Sequence, residues 1–293
     1  MSKKSNLYNI IMVLSFFALW VSTQLPDSLE FTLGYFLILT IGVGHGANDL
    51  KIFFKSKSLG AKKTVFFISF YVLLVLVGFA LFFLAPEVIL IVFLLASGYH
   101  FGQEHFEKYI LSNSWLSHLF YLSYGLSIVL SLLLAHNEDS ILIINDLLNF
   151  NINYNFILYP LIGSLTVLSI TSIKVLQSLF LKQLLREIFY LIIIFILFQT
   201  ASLLWGFAIY FILWHSIPSI YSQILFLDGS VSRISIKKYV WDSLLYWIGA
   251  LLFLSVLYYF LKDYTSLFLS TIVAFLGGIT FPHVMVMHRL HEK

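Results

Sequence analysis

The sequence has no cysteine. Disulfides, iron–sulfur clusters and thiolate-ligated metals are therefore excluded, and imidazole and carboxylate remain as the strong metal ligands. Charge is the second shortage. Lys, Arg, Asp and Glu make up 11% of the 293 residues while hydrophobic residues make up 60%; soluble domains carry about 25% charged residues. Such a chain is read as an integral membrane protein. Val21–Leu25 forms only a weak cleavage site, so the first apolar run is expected to be retained as a span. The net charge of +3 singles out no partner, and no nucleic-acid partner is expected.

What is present is a series of apolar runs. A bilayer core needs about 20 such residues per helix. Runs at 7–25, 31–49, 64–84, 87–107, 115–135, 155–173, 185–203, 205–225, 240–261 and 266–290 predict an all-α, polytopic membrane bundle of about ten transmembrane helices. They leave no room for a soluble domain, so residues 1–293 are expected to form a single integral membrane domain. Gln199-Thr200-Ala201-Ser202 marks the reversal between the seventh and eighth runs. The longest connection, Ala135 to Asn155, is rich in Asn and Asp and is predicted to carry a short interfacial helix over Ile141–Phe150. Charge tests the arrangement. On ten spans, all but Lys262 of the 17 lysines and arginines fall on the side of the N-terminus. The opposite 135–155 connection holds Glu138, Asp139 and Asp146 and no lysine or arginine. The positive-inside rule then places the N-terminus, the Lys51–Lys63 loop and the C-terminus in the cytoplasm, in a multi-pass protein of the cell inner (plasma) membrane.

Four histidines, His45, His100, His215 and His283, fall on the second, fourth, eighth and tenth runs, which all cross in one direction. They lie about four, seven, ten and seven residues from the cytoplasmic ends, a scatter of roughly 9 Å at 1.5 Å per residue. Imidazoles at one depth on separate helices are the layout of a metal site built inside a bundle, and ionisable groups within spans mark function by default. Any one of them alone reads more simply as a hydrogen bond to a neighbouring helix. Together they are hard to satisfy without a metal. Haem is a rival, since paired histidines bind it, but haem gives no role to Asp49 and Glu104. Each follows its histidine at i+4, on the same helix face, where a carboxylate can hold the other nitrogen of a metal-bound ring; simple solvation at the membrane boundary is the alternative. His105 and His288, each five residues after a proposed ligand, are auxiliary candidates, and His105 points about 140° away from His100. Pro218 and Pro282 loosen their helices locally. His118 and His136 are read as structural. Glycines 42, 44, 46 and 102 allow close helix packing or make room for a bulky ligand. The 30 Phe and 17 Tyr suit an apolar tunnel for a polyene and equally suit lipid contact.

In this order, Gly44-His45-Gly46-Ala47-Asn48-Asp49, His100-Phe101-Gly102, Trp214-His215-Ser216 and Thr280-Phe281-Pro282-His283 resemble the Brp/Blh family of bacterial and archaeal β-carotene dioxygenases. The resemblance covers nearly the whole chain. It implies cleavage of the central double bond of all-trans-β-carotene by O₂ to two retinals, Fe(2+) held by histidines, and delivery of retinal to a rhodopsin. His45, His100 and His215 match the implied ligands. Family members often carry a second histidine four residues after the one on the eighth span, which is Ser219 here, and an acidic residue where this chain has His105. His283, His105 and Ser219 therefore compete for the fourth position. A neutral hydroxyl is a weak ligand for Fe(II), and His105 reaches the same ion only if the helix unwinds at Gly102. His283 needs no such distortion and is the expected ligand.

The chemistry agrees with the residues. A polyene dissolved in lipid must be met inside the bilayer, and O₂ needs a redox metal with open positions, which Zn²⁺ is not. No catalytic residue is expected beyond the metal centre. Two other classes compete with this one. A di-iron desaturase or hydroxylase needs its histidines in tight boxes, and no HxxHH cluster occurs. A membrane-embedded transporter or haem-binding electron carrier fits poorly with ionisable groups gathered at one end of the spans.

Overall fold

The computed structural model describes residues 3–55, 60–110, 114–148, 150–261 and 265–291. Lys57, Lys262 and Lys293 of the charge count lie outside the described residues. Among the described residues all regular structure is helical. Helix α1 covers Lys3–Ser22. Helix α2, Asp27–Leu37, opens after Pro26 with Asp27 and Glu30 in its first turn, where the helix dipole favours acids. A π-helical turn, Ile38–Gly42, follows, and the chain then leaves the helix at residues 45–48 before α3, Asp49–Phe54. The span expected over 31–49 is thus not one helix. Gly42, Gly44 and Gly46 explain the break, because glycine has the poorest helix propensity after proline.

Helix α4 covers Ala61–Leu84 and α5 covers Pro86–Phe106, with proline in the first turn where its missing N–H costs nothing. Helix α6, Trp115–Ala135, is capped by Ser114 Oγ, which accepts from Ser117 N. The connection after it carries α7, Asn137–Leu148. This helix begins at Asn137 rather than Ile141 because Glu138 and Asp139 suit its first turn. Helix α8 covers Asn155–Val175 and α9 covers Leu181–Thr200. The reversal after α9 falls where Gln199–Ser202 placed it: Ala201 is extended, and Ser202 Oγ accepts from Trp205 N at 3.4 Å to start α10, Leu203–Ile209. A second π-helical turn, Tyr210–Ser216, leads into α11, Ile217–Asp228. The last two helices are α12, Arg233–Leu261, and α13, Thr265–His291, with Pro282 inside it.

Six stretches among the described residues are long and apolar enough to cross a membrane: Ala61–Leu84, Trp115–Ala135, Asn155–Val175, Leu203–Asp228, Arg233–Leu257 and Ser270–His288. The chain is a multi-pass membrane protein. Only 11% of the apolar window of the first and fifth stretches is buried, against 67% of the fourth. The former therefore turn most of their side chains outward, while the stretch that carries His215 is an interior one.

The residues group into two compact units that interleave along the chain. One takes Met1–Ile38, Gly98–Ile141 and Asn153–Pro218; the other takes Leu39–Ser97, Leu142–Ile152 and Ser219–Lys293. In the first, α6 packs on α8, α9 and α10, and α1 packs on α9. Leu130, Ile157 and Leu161 form one of its cores. Its tightest approach brings Gly98 and Gly102 of α5 against α6. A Cβ at Gly102 would lie 2.0 Å from the Tyr121 carbonyl oxygen, and one at Gly125 would lie 1.9 Å from the Gly98 oxygen. In the second unit α13 packs on α4, α3 and α12, around Phe82, Ile89, Leu147 and Ala274.

Candidate metal centre

In the second unit the break at residues 45–48 sets the position of His45. Gly46 N turns to the Val43 oxygen, 3.3 Å away, and the Gly42 carbonyl accepts instead from His45 Nδ1. The His45 backbone is also held. Its carbonyl accepts from Gln223 Nε2 at 3.0 Å and lies 3.2 Å from the Tyr239 hydroxyl, which itself donates to Gln223 Oε1 at 2.7 Å. The second Nε2 proton of Gln223 goes to Ser219 Oγ at 3.1 Å. Ser219, Gln223 and Asn48 are fully buried, and Asn48 Nδ2 donates to the Tyr239 carbonyl at 3.0 Å.

The His283 ring stands edge-on to His45, with centroids 4.7 Å apart and planes at 87°. Its Nδ1 donates to both oxygens of Asp49, each at 2.9 Å. Asp49 follows His45 by four residues, yet its carboxylate faces the ring on α13. The i+4 rule holds only on a continuous helix, and residues 45–48 are turn. In both histidines an oxygen acceptor holds Nδ1, so Nδ1 carries the proton and Nε2 is the nitrogen with the lone pair. This is the usual state of a metal-binding imidazole.

The first unit holds a second pair. His100 and His215 have ring centroids 4.8 Å apart at 79°. His100 sits between Gly98 and Gly102, at the closest crossing of α5 and α6. His215 sits in the π-helical turn Tyr210–Ser216, a form that recurs at functional sites. Its ring stacks on Phe211, at 5.5 Å and 16°, and touches Phe101 at 4.5 Å. The preceding Trp214 donates from Nε1 to Ser15 Oγ of α1 at 3.0 Å. For Gly102 the structure decides between packing and ligand space: it serves packing. Gly44 differs, since a Cβ there would meet only Trp247 at 3.9 Å.

The other sequence candidates separate clearly. Glu104 is 3% exposed. His105 is drawn into a different network, with Nε2 2.7 Å from Glu187 Oε2. Glu187 Oε1 also accepts from the Tyr109 hydroxyl at 2.9 Å, and Arg186 donates to that hydroxyl in turn. Burial first, and then the Glu187 carboxylate, push the Tyr109 phenol above its ordinary range. Tyr8 of α1 lies edge-on to His105 and stacked with Tyr190. His288 is exposed. The residues that sequence reasoning missed are Tyr71, Gln223 and Tyr239 in the second unit and Glu187, Tyr109 and Ser15 in the first. A buried Gln or Glu inside an apolar run was the available signal for Gln223 and Glu187; nothing marked Tyr71 among 17 tyrosines.

The helices and these buried imidazoles define a multi-pass membrane protein with metal-type histidines inside it. His45 and His283 in the second unit and His215 in the first are each buried imidazoles of a kind that can ligate a metal ion. The family model of beta-carotene 15,15'-dioxygenase matches residues 36–291, and the chain belongs to that family. It is, accordingly, a carotenoid-cleaving dioxygenase. No curated protein and no solved structure matches the chain.

Proposed function

We propose that the chain cleaves the central double bond of membrane-dissolved all-trans-β-carotene with O₂, giving two all-trans-retinal, and that His45, His100, His215 and His283 hold one Fe(2+). The observation that carries this reading is the state of the second-unit pair. Both rings have Nδ1 pinned by an oxygen acceptor, one on a carbonyl and one on a carboxylate, and so offer Nε2 to a metal. The donor set, neutral imidazoles with no thiolate, suits iron. Overall, one C=C bond and one O₂ become two C=O bonds, so no proton enters or leaves. The iron, when bound, supplies the redox chemistry that makes O₂ reactive.

The chain's own residues position and exclude. Asp49 orients His283, the Gly42 carbonyl orients His45, and Glu104 is assigned a similar supporting role beside His100. His105 supports the first unit through Glu187, and His288 lies exposed on α13; neither is assigned as a ligand. Phe207 and Phe211 stack at 5.3 Å and 9° next to His215 and make an apolar wall suited to a polyene. Expressed in a bacterium that accumulates β-carotene, the chain should bleach the orange colour and leave retinal in the extract. Unchanged colour, with the full-length protein present in the membrane, would overturn the assignment. Delivery of retinal to a rhodopsin rests on the family resemblance alone.

The fourth ligand has its own test. His283→Ala should remove iron and activity together, whereas His105→Ala, which breaks the bond to Glu187, should leave iron bound and lower activity modestly. About one iron per chain in purified His283→Ala protein would move the fourth position to His105.

The ten-span topology is part of the proposal, with the whole chain acting as one membrane domain. Beside the six stretches, helices α1, α5 and α9 have 20, 21 and 20 residues, enough to cross about 30 Å of hydrocarbon at 1.5 Å per residue, and the continuous helical run 27–44, ended by the turn at 45–48, serves as the tenth. Helix α5 carries Glu87 in its first turn and His100, Glu104 and His105 towards its end, and α9 carries Lys182, Arg186 and Glu187 near its start; these groups make the helices less apolar without shortening them. The one-sided distribution of lysine and arginine supports a cytoplasmic N-terminus in the plasma membrane. Reporters fused after Lys63 and after Asn145 should then report opposite sides, and agreement between them would rule the topology out.

A further inference from the structure

We infer that Tyr71 is a positioning residue of the metal centre, committing the Asp49 carboxylate to His283 rather than to His45. The inference rests on the ligand assignment proposed above for His283. Three elements of the second unit meet at Asp49: α3, which it begins, α4, which carries Tyr71, and α13, which carries His283. The Tyr71 hydroxyl donates to Asp49 Oδ2 at 2.7 Å. His283 Nδ1 lies 2.9 Å from both carboxylate oxygens. Asp49 is 1% exposed, and a buried carboxylate persists only when its oxygens are hydrogen-bonded.

The choice between two rings is real. His45 and His283 are in edge-to-face contact, and Asp49 is four residues from one and 234 from the other. A carboxylate left to itself can rotate about its side-chain bonds. The Tyr71 hydroxyl removes that freedom, because its own ring is fixed. Tyr71 packs against the buried cluster of Ile52, Val286 and Met287, which joins α3 to α13. The hydroxyl is thus an anchored donor on one oxygen, and the carboxylate that it holds faces Nδ1 of His283. That bond fixes the ring orientation and the Nδ1–H tautomer, so Nε2 is the nitrogen offered to the metal. His45 needs no carboxylate, since the Gly42 carbonyl does the same for it.

The test compares Fe(II) affinity, by competition with a chelator, in full-length purified wild type, Tyr71→Phe, Asp49→Asn, the double variant and His283→Ala. Tyr71→Phe removes one oxygen and keeps the packed ring, so the apoprotein should still fold, with a modestly lower melting temperature from the hydrogen bond lost at a buried carboxylate. Fe(II) should nonetheless bind about 10–100-fold more weakly, the usual effect of losing a group that orients a ligand. Adding Tyr71→Phe to Asp49→Asn should weaken binding no further, because the hydroxyl acts only through the carboxylate. Wild-type affinity in Tyr71→Phe, or additive losses in the double variant, would each overturn the inference. His283→Ala separates the two levels. If it keeps wild-type affinity, the ligand assignment and the Tyr71 role fall together. If it loses the metal while Tyr71→Phe keeps it, the Tyr71 role alone falls.

Discussion

Alanine at His45, His100 or His215 is expected to abolish retinal formation and iron binding together, while the protein still inserts into the membrane. On the proposed assignment each side chain supplies a coordination bond to a shared ion, and a substitution that removes one ligand outright should cost more than the 10–100-fold typical of residues that merely orient ligands. The substitutions do not disturb insertion, which depends on the apolar stretches and not on their polar ends. Iron analysis of the purified variants, with retinal quantified from cells making β-carotene, checks both parts. Near-normal turnover in any of the three would break the four-histidine site. Asp49→Ala is expected to fall in the milder range, because it leaves all four imidazoles in place.

The second large effect concerns the frame around His100. Alanine at Gly102 or Gly125 is expected to leave little folded protein. The added Cβ would sit about 2 Å from a backbone oxygen of the facing helix, at Tyr121 or Gly98 respectively. Neither oxygen can move without its helix, so α5 and α6 must separate along the whole crossing. Overpacking where side chains can yield costs about 1–3 kcal/mol, and a clash with backbone should exceed that. Gly163→Ala is the control. It lies on α8 with nothing within 4 Å of the new Cβ, and alanine favours a helix over glycine by up to about 1 kcal/mol. The monodisperse fraction and melting temperature in detergent should fall sharply for the first two and hold or rise for Gly163→Ala. Equal behaviour of all three would mean that the close crossing is not what holds α5.

Much of this architecture was legible from residue types alone. Long apolar runs and the missing charge specify a helical membrane protein, because no other surface could cover so much hydrocarbon. Gln199–Ser202 marked the break between α9 and α10, since a serine after a polar pair is a helix start waiting for its cap. The histidines stood out because an imidazole in an apolar run is costly. What was hidden depended on through-space neighbours. Asp49 looked like a partner of His45 on a helix that the glycines in fact interrupt, and its true contact lies on α13. His105 looked like a spare ligand until Glu187, from α9, claimed it. The glycine pair flanking His100 was visible as spacing, but only the facing Gly125 shows that it marks a backbone contact rather than space for a substrate.

The distance along the chain between Asp49 and His283 has a consequence for biosynthesis. At roughly 5–20 residues per second, the 234 residues between them take tens of seconds to leave the ribosome. Gln223, which holds the His45 carbonyl, and Tyr239, which holds Gln223, also arrive late. Through all of that interval residues 42–49 are present while their later partners do not yet exist. The centre is therefore assembled only after the final helix has been delivered. A nascent chain stalled before α13 carries His45 and Asp49 without the His283 ring, so on the proposed ligand set iron loading would belong to the finished protein and not to any intermediate of its synthesis.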